Sequence, residues 1–329
     1  MTGLQQQVRR TIRRHVLCPP GTRVLVGLSG GSDSVALTRL LLELAEHGGF
    51  EVVGVAHLNH QLRPTAARDE AFCRDFAGRA GLRIVVESAD VQSYARQSRR
   101  SIEDAARHLR YEFFERAATQ LGADRIAVGH TQDDQAETFL LKLMRGAGLT
   151  GLAGIYPRRG RVIRPLLDVT RGELRAWLES RGERWVDDET NENLDNPRNR
   201  VRHRVLPELE RAAGGDPKAN IARAAALIRE DAQWLDGLAL DWFARVVVPS
   251  DTGAEVNPQT LAEAPPPIQR RVVLLALRQV AGDREVGQDH VEAVMAVLGG
   301  SQGAVDLPGS RAELRGGKLV LLQQKAVVR

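Results

Sequence analysis

The chain has 329 residues, a net charge of +4, 43% hydrophobic and 27% charged residues, and two cysteines, Cys18 and Cys73. That length suggests about two domains with a core that needs no covalent staples. Two distant cysteines outside any C-x-x-C pair argue against a disulfide framework, a zinc knuckle or an iron–sulfur site and fit a reducing cytoplasm, and no run approaches about 18 apolar residues, so no membrane span is expected.

The N-terminal stretch MTGLQQQVRRTIRRHVLC is basic but lacks an apolar centre and a small-residue cleavage site, so a secretory signal is not expected. The following residues alternate strand-like and helix-like segments. Apolar runs at 24–28, 52–56, 83–86 and 126–128 read as strands, and 34–46, 65–80, 101–120 and 133–145 carry helical spacing. This alternation predicts a parallel sheet with right-handed crossovers, whose ligands bind beyond the carboxyl ends of the strands. Residues 146–160, GAGLTGLAGIYPRRG, read as a mobile glycine-rich loop. Asn196-Pro197 and Asp216-Pro217 each read as a helix start.

Near 211–217 the chain changes character, which predicts a first domain over 1–215 and a second over 216–329. Helical patterns follow at 217–242, 265–282 and 286–298, and the tail predicts a hairpin about Gly316-Gly317. Residues 1–215 carry a net charge of +5 and residues 216–329 a net charge of −1, so polyanion contact driven by bulk charge belongs to the first part. Of the 46 basic residues only Lys142, Lys218, Lys318 and Lys325 are lysine.

Three constellations carry chemistry. In VGLSGGSDSVAL, Gly30 and Gly31 let backbone N–H groups approach an anion, and the next helix adds its free N-terminal amides. Ser29, Ser32 and Ser34 add hydroxyls; Asp33 fits an anion site only with a cation between, for which Mg²⁺ is the natural choice. The loop is neither G-x-x-x-x-G-K-[ST] nor G-x-G-x-x-G. In GHTQDDQAET, Asp133 or Asp134 pairs with Glu137 at helical spacing, which puts two carboxylates on one face to hold Mg²⁺ or a cationic substrate; acids also suit a helix start for dipole reasons alone. In HLNHQLR, His57 and His60 lack a third ligand for a transition metal, and Arg63 at a strand end suits a phosphate.

S-G-G-x-D-S in this position resembles the pyrophosphate loop of the N-type ATP pyrophosphatases, which split ATP between the α and β phosphates. Together with HLNHQLR, SIEDAARHLRYEFF, GHTQDDQAETFLLKLMRGAGLTGL, RPLLDVTR and NPRNRVRHRVLP, it resembles the tRNA(Ile)-lysidine synthases over roughly residues 20–210. The resemblance implies an α/β, Rossmann-like PP-loop domain followed by a mainly helical C-terminal domain with a terminal β-hairpin. It implies a cytoplasmic C–N ligase, a homodimer, acting on tRNA(Ile) with a CAU anticodon. ATP adenylates O2 of the wobble cytidine, and L-lysine then displaces AMP from C2 to give lysidine.

Carried onto this chain, the resemblance assigns ATP binding to Ser29, Gly30, Gly31, Ser32, Asp33, Ser34, Gly129, His130 and Arg63. It assigns catalysis to Asp33, Asp133, Asp134 and Glu137, Mg²⁺ to Asp33 and Asp133, and the lysine ammonium to Asp134 and Glu137. Arg110 would face ATP or tRNA phosphates. Arg198, Arg200, Arg202, His203 and Arg204 form the densest basic run, and helical pairing of 198 with 202 and 200 with 204 makes two ridges suited to an RNA backbone. Arg164 and Arg171 flank another matching segment as further candidates. A tRNA thiolase would share the adenylation but needs reactive cysteines; an ammonia-using synthetase would share the loop but not the RNA-binding segments; a nucleotide sensor would not need the acids. Longer family members continue into another small domain.

Overall fold

The computed structural model describes residues 2–61, 65–187, 194–282, 284 and 286–324. They fall into two compact units, Met1–Arg229 and Glu230–Arg329. In the first unit α1 (Gly3–Arg14), β1 (Arg23–Gly27), α2 (Ser32–Gly48), β2 (Glu51–Asn59), α3 (Ala66–Arg79) and β3 (Ile84–Ser88) follow in order. Next come α4 (Val91–Ser98), α5 (Ile102–Leu121), β4 (Arg125–Ala127) and α6 (Gln132–Met144). A short α7 (Leu149–Leu152) leads to β5 (Arg158–Arg159), β6 (Val162–Ile163) and α8 (Arg171–Glu179). Then come α9 (Pro197–Arg200), a π-helical turn (Val201–Val205), α10 (Leu206–Ala213) and the long α11 (Pro217–Val246), which holds the division between units.

The sheet runs β3-β2-β1-β4-β6-β5, with every pair parallel except the β5–β6 hairpin. Successive β1 side chains point to opposite faces. Val24 and Val26 pack with Val35 and Leu37 of α2, Phe76 of α3 and Leu174 of α8, while Leu25 packs with Phe113 and Ala117 of α5. Both faces are therefore covered, as a parallel sheet requires. Strand β1 has β2 on one side and β4 on the other, so the chain reverses its direction of travel at β1. The crevice beyond the carboxyl ends of β1 and β4 is the topological switch point, where such sheets bind ligands.

The glycine-rich stretch expected as a mobile loop is instead partly regular, holding α7 and β5. Gln135 fixes it: Ile155 N–H donates to Gln135 Oε1 at 2.6 Å, and Gln135 Nε2 donates to the Ala153 carbonyl at 3.4 Å. Helices α1, α4 and α8 and the β5–β6 hairpin were not among the expected elements. Helix starts follow their side-chain caps: Thr131 and Thr170 close capping boxes on α6 and α8, and Asn196 caps α9 ahead of Pro197. Each such cap contributes about 1 kcal/mol.

The second unit adds β7 (Val247–Ser250), β8 (Gly253–Val256), α12 (Pro258–Ala262), α13 (Pro266–Ala281) and α14 (Gln288–Leu298). Strands β9 (Ala304–Leu307), β10 (Ser310–Arg315) and β11 (Lys318–Gln323) complete it. The expected hairpin is β10–β11, turned by Gly316 and Gly317 at φ of +55° and +77°. It lies within a five-stranded antiparallel sheet, β7-β8-β11-β10-β9. Val272, Ala276 and Leu277 of α13 and Val291 and Val294 of α14 pack with Leu319 and Leu321 of β11. Among the described residues no helix is long and apolar enough to cross a membrane.

Candidate active site

The chain leaves β1 at Gly27 and enters a loop tied by its own serines. Ser29 N–H and Ser29 Oγ both donate to Ser34 Oγ at 3.1 Å, and Ser34 Oγ donates to the Gly31 carbonyl at 2.9 Å. Gly30 holds φ +90°, where a side chain is strained, and an added Cβ would lie 3.4 Å from Cys73 Sγ. Gly31 caps α2 without a side-chain hydrogen bond, so the first amides of that 17-residue helix stay open to an anion. His57, from β2, sits beneath the loop with Nδ1 at 2.9 Å from the Leu28 carbonyl. Burial above all lowers its pKa, which keeps the ring neutral with Nδ1–H as the donor. Among the described residues no group of three or more His, Cys, Asp or Glu side chains could hold a metal ion.

The segment after β4 packs directly on this loop. A Cβ at Gly129 would stand 3.1 Å from the Asp33 carbonyl carbon and 3.3 Å from Ser34 N. Two residues on, Thr131 starts α6. Thr131 N–H and Oγ1 donate to Asp134 Oδ2 at 2.8 and 3.0 Å, which leaves Oδ1 of Asp134 to face the site. Asp134 is therefore both a helix cap and a site carboxylate.

Arg171, at the start of α8, joins the two segments. Its Nε donates to Asp33 Oδ2 at 3.1 Å, its Nη2 to Asp134 Oδ1 at 3.2 Å, and its Nη1 lies 3.8 Å from Glu137 Oε1. Its backbone N–H donates to Asp133 Oδ2 at 2.7 Å. Glu137, with 0% side-chain exposure, takes Arg202 in a two-point contact at 2.7 and 3.2 Å. Arg198 lies 3.7 Å from Asp134 and 3.9 Å from Glu137. Lys218 Nζ lies 3.5 Å from Asp133 Oδ1 and 3.0 Å from Glu210. Carboxylates this buried need cations beside them, because an unpaired buried charge is strongly unfavourable.

The electrostatics differ from one acid to the next. Burial raises the pKa of Asp33, and the Arg171 charge only partly offsets it. Burial likewise raises Glu137 against the pull of Arg202. At Asp134 burial is outweighed by Arg171, His130 and the Thr131 N–H, so its carboxyl is held below the usual range. Burial opposes the Arg171 charge, yet Asp134, Asp33 and Glu137 together hold its guanidinium firmly protonated.

Beside this cluster stands a corner rich in positive charge. Arg107 and Arg110 flank the Tyr111 ring, 5.0 and 5.8 Å from its centroid. Arg164 Nη2 donates to Tyr111 Oη at 3.4 Å and its Nη1 to the Tyr156 carbonyl at 2.7 Å. Burial, foremost, lowers the pKa of Arg110 and of Arg164. The same cause pushes His130 down to about 3, against the Asp134 charge. His130 Nδ1 and Arg164 Nε are buried without a hydrogen-bond partner. Two orphaned nitrogens among guanidiniums are the mark of a place shaped for an anion.

The structure thus brings together Ser29, Gly30, Gly31, Ser32, Asp33, Ser34, Gly129, His130, Asp133, Asp134 and Glu137, with Arg110 nearby. Arg63 lies outside the described residues. The basic run divides by face: Arg198 and Arg202 turn inward to the acids, while Arg200, His203 and Arg204 are exposed. The hub of the network is Arg171, one of two arginines taken from RPLLDVTR as further candidates; its link to Asp33 spans 138 positions and leaves no local pattern.

A PP-loop domain family matches residues 3–209. A tRNA(Ile)-lysidine synthase of Leifsonia xyli is 38% identical over 311 residues, covering 93% of this chain and 91% of that protein. Another from Geobacter sulfurreducens is 38% identical over 88% of this chain, and this chain spans only 62% of its length. A solved structure of the U34-tRNA thiolase NcsA from Methanococcus maripaludis superposes with a TM-score of 0.58 at 20% identity, over 69% of this chain and 78% of that one, a likeness of fold. By these matches, which cover both the loop and the acids that face it, the chain belongs to the tRNA(Ile)-lysidine synthase family.

Proposed function

We propose that this chain uses ATP to join free L-lysine to C2 of the wobble cytidine, position 34, of an isoleucine tRNA with a CAU anticodon. The observation that carries the reading is the span of Arg171. One guanidinium reaches Asp33 of the phosphate loop and Asp134 of the acid pair, so the nucleotide cradle and a pocket for a cationic substrate share a wall. The cytidine O2 would attack the α-phosphorus as pyrophosphate leaves with its bridging oxygen. The lysine ε-amine would then attack C2, the C2–O2 bond would break, and AMP would depart with that oxygen as the amine gives up a proton.

The loop amides and serine hydroxyls would hold the β and γ phosphates, and the corner of Arg107, Arg110, Arg164 and His130 would take a further phosphate of ATP or tRNA. A lysine ammonium would replace Arg171 at Asp134 and Glu137, where the guanidinium contacts of 3.2 and 3.8 Å are longer than the 2.7 Å Arg202 contact that stays. Mg²⁺, when bound, would neutralise phosphate charge. Asp33 fits that ion: burial raises its pKa, and Arg171 is the cation it meets. Asp133 fits less well, since one oxygen accepts the Arg171 N–H and the other faces Lys218. The family resemblance extends the proposal to a cytoplasmic homodimer.

A thiolase is disfavoured by the thiols themselves. Cys18 and Cys73 are buried, and burial pushes each up to about 12, so neither offers a thiolate for sulfur transfer. The test is incubation with ATP, Mg²⁺, labelled lysine and transcripts carrying C or U at the wobble position. Label is expected only in the C transcript, with one AMP formed per lysine. Label without tRNA, equal label in both transcripts, or sulfur incorporation would overturn the reading.

A further inference from the structure

We infer that Arg171 is a movable charge that makes entry of the lysine conditional on ATP. It neutralises the acid pair while the nucleotide cradle is empty and turns to the phosphates when they arrive; this rests on the lysidine reading above. The acids of the site already have their counter-charges. Among the described residues Asp33, Asp133, Asp134 and Glu137 each meet at least one of Arg171, Arg198, Arg202 and Lys218. An ammonium joining Asp134 and Glu137 with all four cations in place would bring surplus charge to a carboxylate with 0% side-chain exposure. Uncompensated charge at such a place is strongly unfavourable, so one cation has to leave first.

Arg171 is the cation with somewhere to go. Arg202 grips Glu137 at two points, 2.7 and 3.2 Å. Arg198 meets Asp134, Glu137 and Thr138 Oγ1, all on α6. Lys218 faces Asp133 and Glu210. Arg171 differs, because its Nε also donates to Asp33 Oδ2 of the phosphate loop at 3.1 Å. Its backbone is pinned on both sides: its own N–H donates to Asp133 Oδ2 at 2.7 Å, and Gln132 N–H donates to the Val169 carbonyl at 2.9 Å. Rotation of the side chain alone therefore carries the charge between the acids and the loop, and α8 stays where it is.

Phosphates on the open amides at the start of α2 would lie beside Asp33, which belongs to the first turn of that helix. A guanidinium favours the two-point grip that phosphate oxygens offer, whereas here it holds one oxygen on each of two carboxylates. The triphosphate thus draws Arg171 from Asp134 and Glu137, and those acids take the lysine ammonium in an enzyme already holding ATP. Arg171 acts on the lysine through the acids, as a positioning residue.

The experiment is equilibrium dialysis of labelled L-lysine against the full chain with Mg²⁺, with and without α,β-methylene-ATP, which cannot be split between the α and β phosphates. Wild type is expected to bind lysine roughly tenfold tighter with the analogue, a usual size for coupling between two sites. Arg171→Gln should bind lysine without the analogue as tightly as wild type does with it, so that the ratio falls to about one. Arg171→Lys keeps the charge and should restore most of the ratio. Arg198→Gln removes a cation from the same acids but not the link to Asp33; it should tighten lysine in both states and leave the ratio at roughly ten. Equal lysine binding by wild type in both states overturns this inference alone, whether or not the variants fold. So does a ratio kept in Arg171→Gln, or one lost to the same extent in Arg198→Gln. A wild type that joins lysine to the wobble-C transcript yet binds none on dialysis also overturns it alone. One that does neither overturns it together with the lysidine reading.

Discussion

The loop Ser29–Ser34 and the helix start Thr131–Glu137 share Arg171 as a partner, yet they are made of different materials. The loop is shaped by backbone: a glycine at φ +90°, serines that bond to one another, and helix amides left open. The helix start is shaped by charge, with Asp134 and Glu137 sunk among Arg171, Arg198 and Arg202. A backbone cradle suits phosphates, which every ATP presents alike. A charge cluster suits a choice of cation, because its occupant must outcompete guanidinium groups already in place. On the proposed function, the first region would set ATP use and the second would set which amine is joined.

That division is broken most severely by Asp134→Asn. The amide oxygen can still accept the Thr131 cap, so the helix start should survive, while the charge facing Arg171 and the incoming amine is gone. Lysine transfer is expected to fall roughly a hundredfold, the loss typical of removing one positioned polar group from a reaction site. Formation of adenylated tRNA, followed separately with labelled ATP, should fall far less. Equal losses in both steps would show that Asp134 does not act through lysine.

The backbone region is probed by Gly30→Ala, with a smaller expected effect. A side chain at φ +90° costs about 1–2 kcal/mol, which corresponds to roughly tenfold weaker ATP binding by calorimetry. Gly81→Ala is the control: its φ is +66°, so the strain is similar, but nothing lies within 4 Å of the added Cβ and the loop is not involved. If both variants bind ATP equally well, the loop's shape is not what holds the nucleotide.

The same contrast explains how much could be read in advance. The loop is local: its glycines, serines and following helix are contiguous in sequence, and so are the Thr131 start and the Asn196-Pro197 cap. The acids of α6 were legible for the same reason. Their partners were not, because Arg171 and Arg202 come from 37 and 65 positions away from Asp134 and Glu137. Helical spacing did group Arg198 with Arg202, but it could not say that this ridge faces inward. Only a count of buried charge would have required it, and burial is a property of the fold. In the second unit, β7 and β8 span four residues each, VVPS and GAEV, too short to show a period, whereas the Gly316-Gly317 turn marked its hairpin plainly.

The smallest expected effect concerns His130, which stands where the two regions meet. Burial pushes its pKa down to about 3 from the ordinary 6.5. Below pH 6.5 the unfolded chain takes a proton at this ring that the folded chain refuses, so stability is full above 6.5 and is lost as pH falls toward 3. The slope from this one group approaches about 1.4 kcal/mol per pH unit. Asp33 and Glu137 act in the opposite sense, since their raised pKa values favour the folded state as they protonate. Comparison of wild type with His130→Gln cancels those terms: between pH 7.5 and 5.5, wild type should lose about 1.4 kcal/mol more by urea unfolding than the variant does. Parallel losses would mean that the ring is not shielded as described. Saturating ATP should shrink the difference, because phosphate charge beside the ring restores its affinity for a proton, and an undiminished difference would place the phosphates away from His130.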